Sequence, residues 1–205
     1  IKRLVGQIEK QGESPAGHYY SPVPDKDEVL TYIKSIPAGE KEIPGIALNK
    51  EMQQDLIHSY HKFYTDLPFP EQQSNACRYY FDQDCFCYAD AIFLYSFIRH
   101  HKPKKIIEVG SGFSSAVMLD TVEKFLDNNV KMTFIEPYPE RLMGLLKGSD
   151  KENCKIMVSK VQDIQLDVFS SLQAGDLLFI DSSHVLKCGS DLQFLFFKVL
   201  PLIQA

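Results

Sequence analysis

From residue 105 onward, short apolar runs alternate with longer amphipathic stretches, and this rhythm constrains the fold of the 205-residue chain more than any other feature. Lys105–Val109, Lys131–Ile135, Cys154–Val158 and Asp176–Ile180 are nearly continuous hydrophobic, β-branched runs, too short to be helices. Strands of that kind are buried on both faces, as they are when helices cover both sides of a parallel sheet. Ser114–Leu126, Tyr138–Leu146, Val168–Leu172 and Asp191–Ile203 supply the intervening helices. The pattern predicts an α/β fold with a doubly wound, mostly parallel sheet and helices on both faces.

Residues 1–75 read differently. Pro-rich text such as Ser14-Pro15-Ala16-Gly17 and Ser21-Pro22-Val23-Pro24 marks loops. A short helix is expected over Asp25–Ile36, capped by Asp25 or Asp27, with Val29, Leu30 and Ile33 on one face. Asn49 reads as the cap of a longer helix through Tyr64, with Met52, Leu56, Ile57, Tyr60 and Phe63 on its apolar side. This gives a mostly helical, irregular extension or cap over residues 1–75 and a main domain over 76–205. Tyr79–Phe81 is a candidate strand and Ala89–His101 a helix. Asp191–Ile203 is too apolar to sit on an unfinished sheet edge, so further strands are expected beyond the given residues, or a covering partner such as a second copy of the chain.

Composition narrows the function. A formal net charge of -5 argues against a protein built mainly to hold nucleic-acid phosphates. No apolar run is long enough to span a membrane, and Ile1–Gly6 turns polar too soon for a signal peptide. Five cysteines without regular spacing fit reduced thiols in a cytoplasm. Cys85-x-Cys87, with Cys77 and His58-x-x-His61 as further ligands, lacks the spacing of a zinc site, and no metal is expected.

The chemistry concentrates after the first strand, in Glu108-Val109-Gly110-Ser111-Gly112-Phe113-Ser114. Glycines between a strand and a helix let the backbone approach a ligand, and the helix N-terminus offers free N–H groups. The loop therefore reads as a nucleotide-type site. Glu108 would repel a pyrophosphate and would suit a ligand bearing an ammonium group, such as S-adenosylmethionine. Glu136 ends the next strand, where an acid accepts from ribose hydroxyls. Gln162 and Asp163 follow the third strand, positioned for an adenine edge, and Asp163 is equally well explained as a solvated loop acid. Asp181-Ser182-Ser183-His184 follows the fourth, delivering an acid and an imidazole as substrate anchor and general base, unless His184 is a structural capping histidine. Tyr88 borders the methionine end of the ligand or is an ordinary core aromatic. Tyr19 and Tyr20 are lid candidates.

On these residues the chain resembles the class I S-adenosylmethionine-dependent methyltransferases, and a bacterial small-molecule subgroup among them. Glu108-x-Gly110-x-Gly112 stands at the first motif, Glu136-Pro137-Tyr138-Pro139-Glu140-Arg141 at the second, and Asp181–His184 at the fourth. Tyr20–Asp25, Pro44–Asn49 and Arg78-Tyr79-Tyr80 fit the subgroup. The resemblance implies a Rossmann-like domain that binds S-adenosylmethionine and transfers its methyl group to an oxygen or nitrogen of a small-molecule acceptor. It implies that Gly110, Ser111, Gly112, Ser114, Glu136, Pro137, Tyr138 and Ser182 line the cofactor, with Asp181 and His184 nearest the chemistry. The family's sheet has seven strands, so its last strands would lie beyond residue 205. Two other functions fit the same loop: an NAD(P)-dependent oxidoreductase, and a non-catalytic nucleotide-binding or interaction domain.

Overall fold

The structure is a computed structural model and describes residues 15–18, 21, 23–36 and 45–203. Tyr19, Tyr20 and parts of the Tyr20–Asp25 and Pro44–Asn49 motifs lie outside the described residues. The chain divides into two compact units, Ile1–Gln53 and Gln54–Ala205. In the first unit, helix α1 (Lys26–Ser35) forms as expected, with the Asp25 carboxylate accepting from the Asp27 and Glu28 backbone N–H groups. None of its residues is buried, so Leu30 and Ile33 remain exposed.

Helix α2 (Lys50–Tyr60) starts directly after Asn49 and tightens into a 3-10 helix over His61–Asp66. Its predicted apolar face is covered only in part: Met52 and Ile57 are exposed, Leu56 is half-buried, and Tyr60 is buried against Phe93 and His100. Phe69 joins the main core, so part of the stretch assigned by sequence to the extension packs with the larger unit.

The larger unit holds one four-stranded sheet in the order β3-β2-β1-β4. The strands are β1 (Lys105–Val109), β2 (Lys131–Ile135), β3 (Cys154–Met157) and β4 (Leu177–Ile180). All neighbouring pairs are parallel. Helices α3 (Tyr88–His101) and α4 (Phe113–Phe125) pack on the face that carries Ile106 and Phe134. The other face, with Ile107, Val109 and Ile135, is covered by Phe169 of α7 (Leu166–Ser170) and by Leu195 and Val199. The short helices α5 (Glu140–Leu145) and α6 (Asp150–Asn153) lie between β2 and β3. This is the Rossmann-like, doubly wound arrangement the strand pattern predicts.

Two elements differ from expectation. Tyr79–Phe81 forms no strand, because Asp120 on α4 takes the backbone N–H groups of Arg78 and Tyr79 (2.7 and 2.9 Å) and Phe81 donates to the Pro70 carbonyl. The single helix expected over Asp191–Ile203 is three pieces: α8 (Asp191–Phe194), a π-helical turn over Leu195–Val199 and a 3-10 turn over Leu200–Leu202. Pro201 is the cause, since it has no N–H to continue an α-helical ladder and its ring crowds the preceding turn. No helix among the described residues is long and apolar enough to cross a membrane.

Candidate functional site

The chain runs outward through β1, β2 and β3, then crosses to β4 on the other side of β1. That reversal opens a crevice between β1 and β4 at their carboxyl ends, where ligands of such sheets bind. Pairing continues one residue past the strands: Gly110 donates to Ile135, Glu136 to Met157, and Asp181 to Val109. Three loops are thereby fixed side by side. Gly110 makes this possible. Its φ is +86°, and an added Cβ would lie 2.0 Å from the Asp181 carbonyl oxygen.

A cavity of about 630 Å³ opens over these loops. It brings together Gly110, Ser111, Gly112, Ser114, Glu136, Pro137, Tyr138, Gln162, Asp181 and Ser182 from the segments that follow the four strands. Glu108, Tyr88, Asp163 and His184 do not line it. Glu108 lies fully buried beneath the loop. Tyr88 stacks flat on Phe81 with ring centroids 4.3 Å apart and donates to Glu71. Asp163 is exposed outside the cavity. His184 sits at its edge, with Nε2 3.1 Å from the Asp181 Oδ1.

Glu136 is held between two backbone donors. Oε2 accepts from the Ser111 N–H at 3.0 Å, and Oε1 accepts from the Tyr138 N–H at 2.8 Å. The carboxylate is therefore fixed at the rim before any ligand arrives, with lone pairs left over. Across the crevice, Asp191 accepts from the Ser183 N–H and hydroxyl at 2.8 and 2.5 Å. Partial burial alone would raise its pKa; Ser182 and Ser183 beside it outweigh that and push it down to about 2. The Gln162 side chain donates to the Gly189 carbonyl at 3.0 Å, tying the loop after β3 to the loop after β4.

Sequence reasoning assigned no role to three cations that line the cavity: Arg141, Lys160 and Lys187. None of them forms an ion pair within the described residues. Arg141 lies in the first turn of α5, and its Cδ would be 3.2 Å from a Cβ on Gly112. Its position one turn after the Glu136-Pro137-Tyr138 loop is the signal that points to it; Lys187, in an irregular loop, carries none. Cys85 and Phe86 also border the cavity from the segment before α3. Among the described residues no group of three or more His, Cys, Asp or Glu side chains comes together to hold a metal ion. Cys77 is buried with its thiol on the Pro68 carbonyl, whereas Cys85 and Cys87 are exposed.

No family model matches the chain. It is 34% identical over 180 residues to an uncharacterized protein of Archaeoglobus fulgidus, a match covering 84% of this chain and 77% of that one. Among solved structures it is similar to an SAH-bound methyltransferase of Podospora anserina, at 17% identity and a TM-score of 0.38, covering 90% of this chain and 69% of that one. It is also similar to a methyltransferase from Geobacter sulfurreducens, at 12% identity and a TM-score of 0.35, covering 84% and 72%. The chain belongs to the same family as the Archaeoglobus fulgidus protein.

Proposed function

We propose that this protein is an S-adenosylmethionine-dependent methyltransferase acting on an oxygen or nitrogen of a small-molecule acceptor. The observation that carries the reading is Glu136: a carboxylate pinned between the Ser111 and Tyr138 N–H groups, beside a glycine loop and over a cavity large enough for a nucleoside. The residues present fit such a ligand. Gly112 leaves room that a Cβ would narrow against Arg141, and Glu136 keeps acceptor capacity for ribose hydroxyls. When bound, the cofactor supplies an electrophilic methyl group.

The chain's own residues do the rest. Gly110 and Gly112 let the backbone approach the ligand. Glu136 orients the sugar, and Pro137, Tyr138 and Gln162 border the base. Asp181 anchors the acceptor near the methyl donor, and His184, hydrogen-bonded to it, passes a proton to solvent when the acceptor must lose one. Orientation is the main contribution, because in-line displacement at carbon needs both partners aligned.

A second reading rests on Arg141. A guanidinium beside the Gly112 loop would suit a pyrophosphate, as in an NAD(P)-dependent oxidoreductase. Isothermal calorimetry separates the two: S-adenosylhomocysteine is expected to bind and NADH is not, and the reverse result would sink the methyltransferase reading. Glu136→Ala is expected to weaken S-adenosylhomocysteine binding by about 1–3 kcal/mol, through loss of charge-assisted hydrogen bonds. Unchanged affinity would remove Glu136 from the site.

A further inference from the structure

Glu108 is a fully buried carboxylate, and among the described residues no cation pairs with it. The alternation of β1 turns it toward the face of Ile106, under the first turn of α4. Ser114 Oγ donates to its Oε1 at 2.6 Å, and the Ser115 hydroxyl donates to Oε2. Ser115 Oγ in turn accepts from the Gly112 N–H at 3.0 Å, which commits its own proton to Glu108. The residues in register on the flanking strands, Phe134 of β2 and Phe179 of β4, are apolar. The charged group that bears on Glu108 is Asp181, at the end of β4, and it is also negative. α4 contributes only the serine hydroxyls.

An ionised carboxylate in that setting is costly. Burial pushes the Glu108 pKa up to about 8, the hydroxyls offset part of the rise, and Asp181 adds to it. Near neutral pH the ligand-free protein therefore keeps Glu108 mostly protonated, a state in which its own O–H donates to the Ser114 Oγ. Ser114 both touches Glu108 and lines the cavity. Its hydroxyl, together with that of Ser111, which also bears on Glu108 and lines the cavity, links the buried acid to anything bound above.

We propose that the cationic amino-acid end of the cofactor displaces the proton of Glu108, so that binding and the release of one proton to solvent are a single linked event, with Ser114 as the relay. The inference rests on the cofactor reading above. The carboxyl O–H bond breaks, its electron pair stays on Glu108, the proton passes to the buffer, and the ligand's ammonium keeps its own protons. The new carboxylate then has a positive charge on the far side of the Ser114 hydroxyl, which it lacks in the ligand-free protein.

The test uses the whole protein and two ligands that differ in the amino-acid part. S-adenosylhomocysteine carries the ammonium, and 5′-methylthioadenosine lacks it. Calorimetry at pH 7 in phosphate and in Tris, buffers of different ionisation enthalpy, is expected to show close to one proton released with S-adenosylhomocysteine and almost none with 5′-methylthioadenosine. The S-adenosylhomocysteine Kd is expected to tighten about tenfold from pH 6 to pH 7, because release of one proton is linked to binding. Glu108→Gln is expected to abolish both the proton release and this pH dependence. Carbon-13 NMR of the ligand-free native protein reads the same carboxyl directly, without relying on a variant that folds, and is expected to show it titrating near 8. Binding with heat independent of the buffer, or a Glu108 carboxyl that titrates in the ordinary range, overturns the proton linkage while leaving the cofactor reading intact. If neither ligand binds, the cofactor reading fails and the linkage falls with it, whatever the NMR titration gives.

Discussion

Alanine at Gly110 is expected to destabilise the protein by roughly 3–5 kcal/mol and to abolish ligand binding, the sum of overpacking and left-handed backbone strain. The magnitude follows from what the new Cβ meets. It would stand 2.0 Å from the Asp181 carbonyl oxygen, 2.6 Å from its carbon and 2.9 Å from the Ser182 Cα. All three are backbone atoms, so no rotamer change can relieve the clash. The relief available is to part β1 from β4, which breaks the Asp181-to-Val109 hydrogen bond and opens the crevice. Gly175 provides the control. Its φ is +88°, but nothing lies within 4 Å of an added Cβ. Gly175→Ala should therefore cost only the backbone strain, about 1 kcal/mol. Urea denaturation of the two variants checks this. Equal losses would mean that the crowding between Gly110 and Asp181 contributes nothing.

The strand pattern was legible because buried parallel strands write themselves as apolar runs. Lys105–Val109 and Lys131–Ile135 have the bounds read from the sequence, and β3 and β4 differ by one residue at one end. What failed were segments whose partners are remote in sequence. Nothing within Tyr79–Phe81 says that Asp120, some forty positions on, will take its backbone donors. Nothing in the spacing of Met52 and Ile57 says whether a surface exists to cover them. The site shows the same division. The glycine loop and Glu136 are local signals, a strand end followed by a turn. That Glu108 would lie under the loop instead of in the cavity depends on Ser114 and Ser115 turning back to meet it, a helix-start geometry. His184 takes a φ of +58°, uncommon for a residue other than glycine, and no residue pattern announces it. That conformation accompanies the imidazole's contact with Asp181 at the cavity edge.

Removing the Arg78 side chain is expected to be nearly as damaging as Gly110→Ala, for an electrostatic reason. Arg78 is buried and grips Asp150 with Nε and Nη2, both at 2.7 Å, while Nη1 donates to Asp120 at 2.8 Å and to Glu123 at 2.5 Å. Arg78→Met would leave Asp120 and Asp150 buried with no cation, at a cost of about 3–5 kcal/mol. Protonation offers the variant a partial escape. Burial already pushes the Asp120 pKa upward, opposed by hydrogen bonds from Tyr79 and Arg78, and losing the guanidinium raises it further. A carboxyl whose folded-state pKa lies above its unfolded value loses stability as pH rises through the interval between the two. The deficit relative to the native protein should accordingly be smaller at pH 5 than at pH 7.5, as read by urea midpoints at both. A pH-independent deficit would show that lost packing, not stranded charge, is the cause. The same network reaches the candidate site. Arg78 fixes the segment whose Tyr79 and Tyr80 rings meet Phe113 edge-on at 6.4 and 5.6 Å, and Phe113 borders the cavity at the start of α4. Weaker S-adenosylhomocysteine binding by folded Arg78→Met, at a temperature well below its unfolding midpoint, would therefore place the ion cluster among the elements that position the glycine loop, and unaltered binding would confine it to stability.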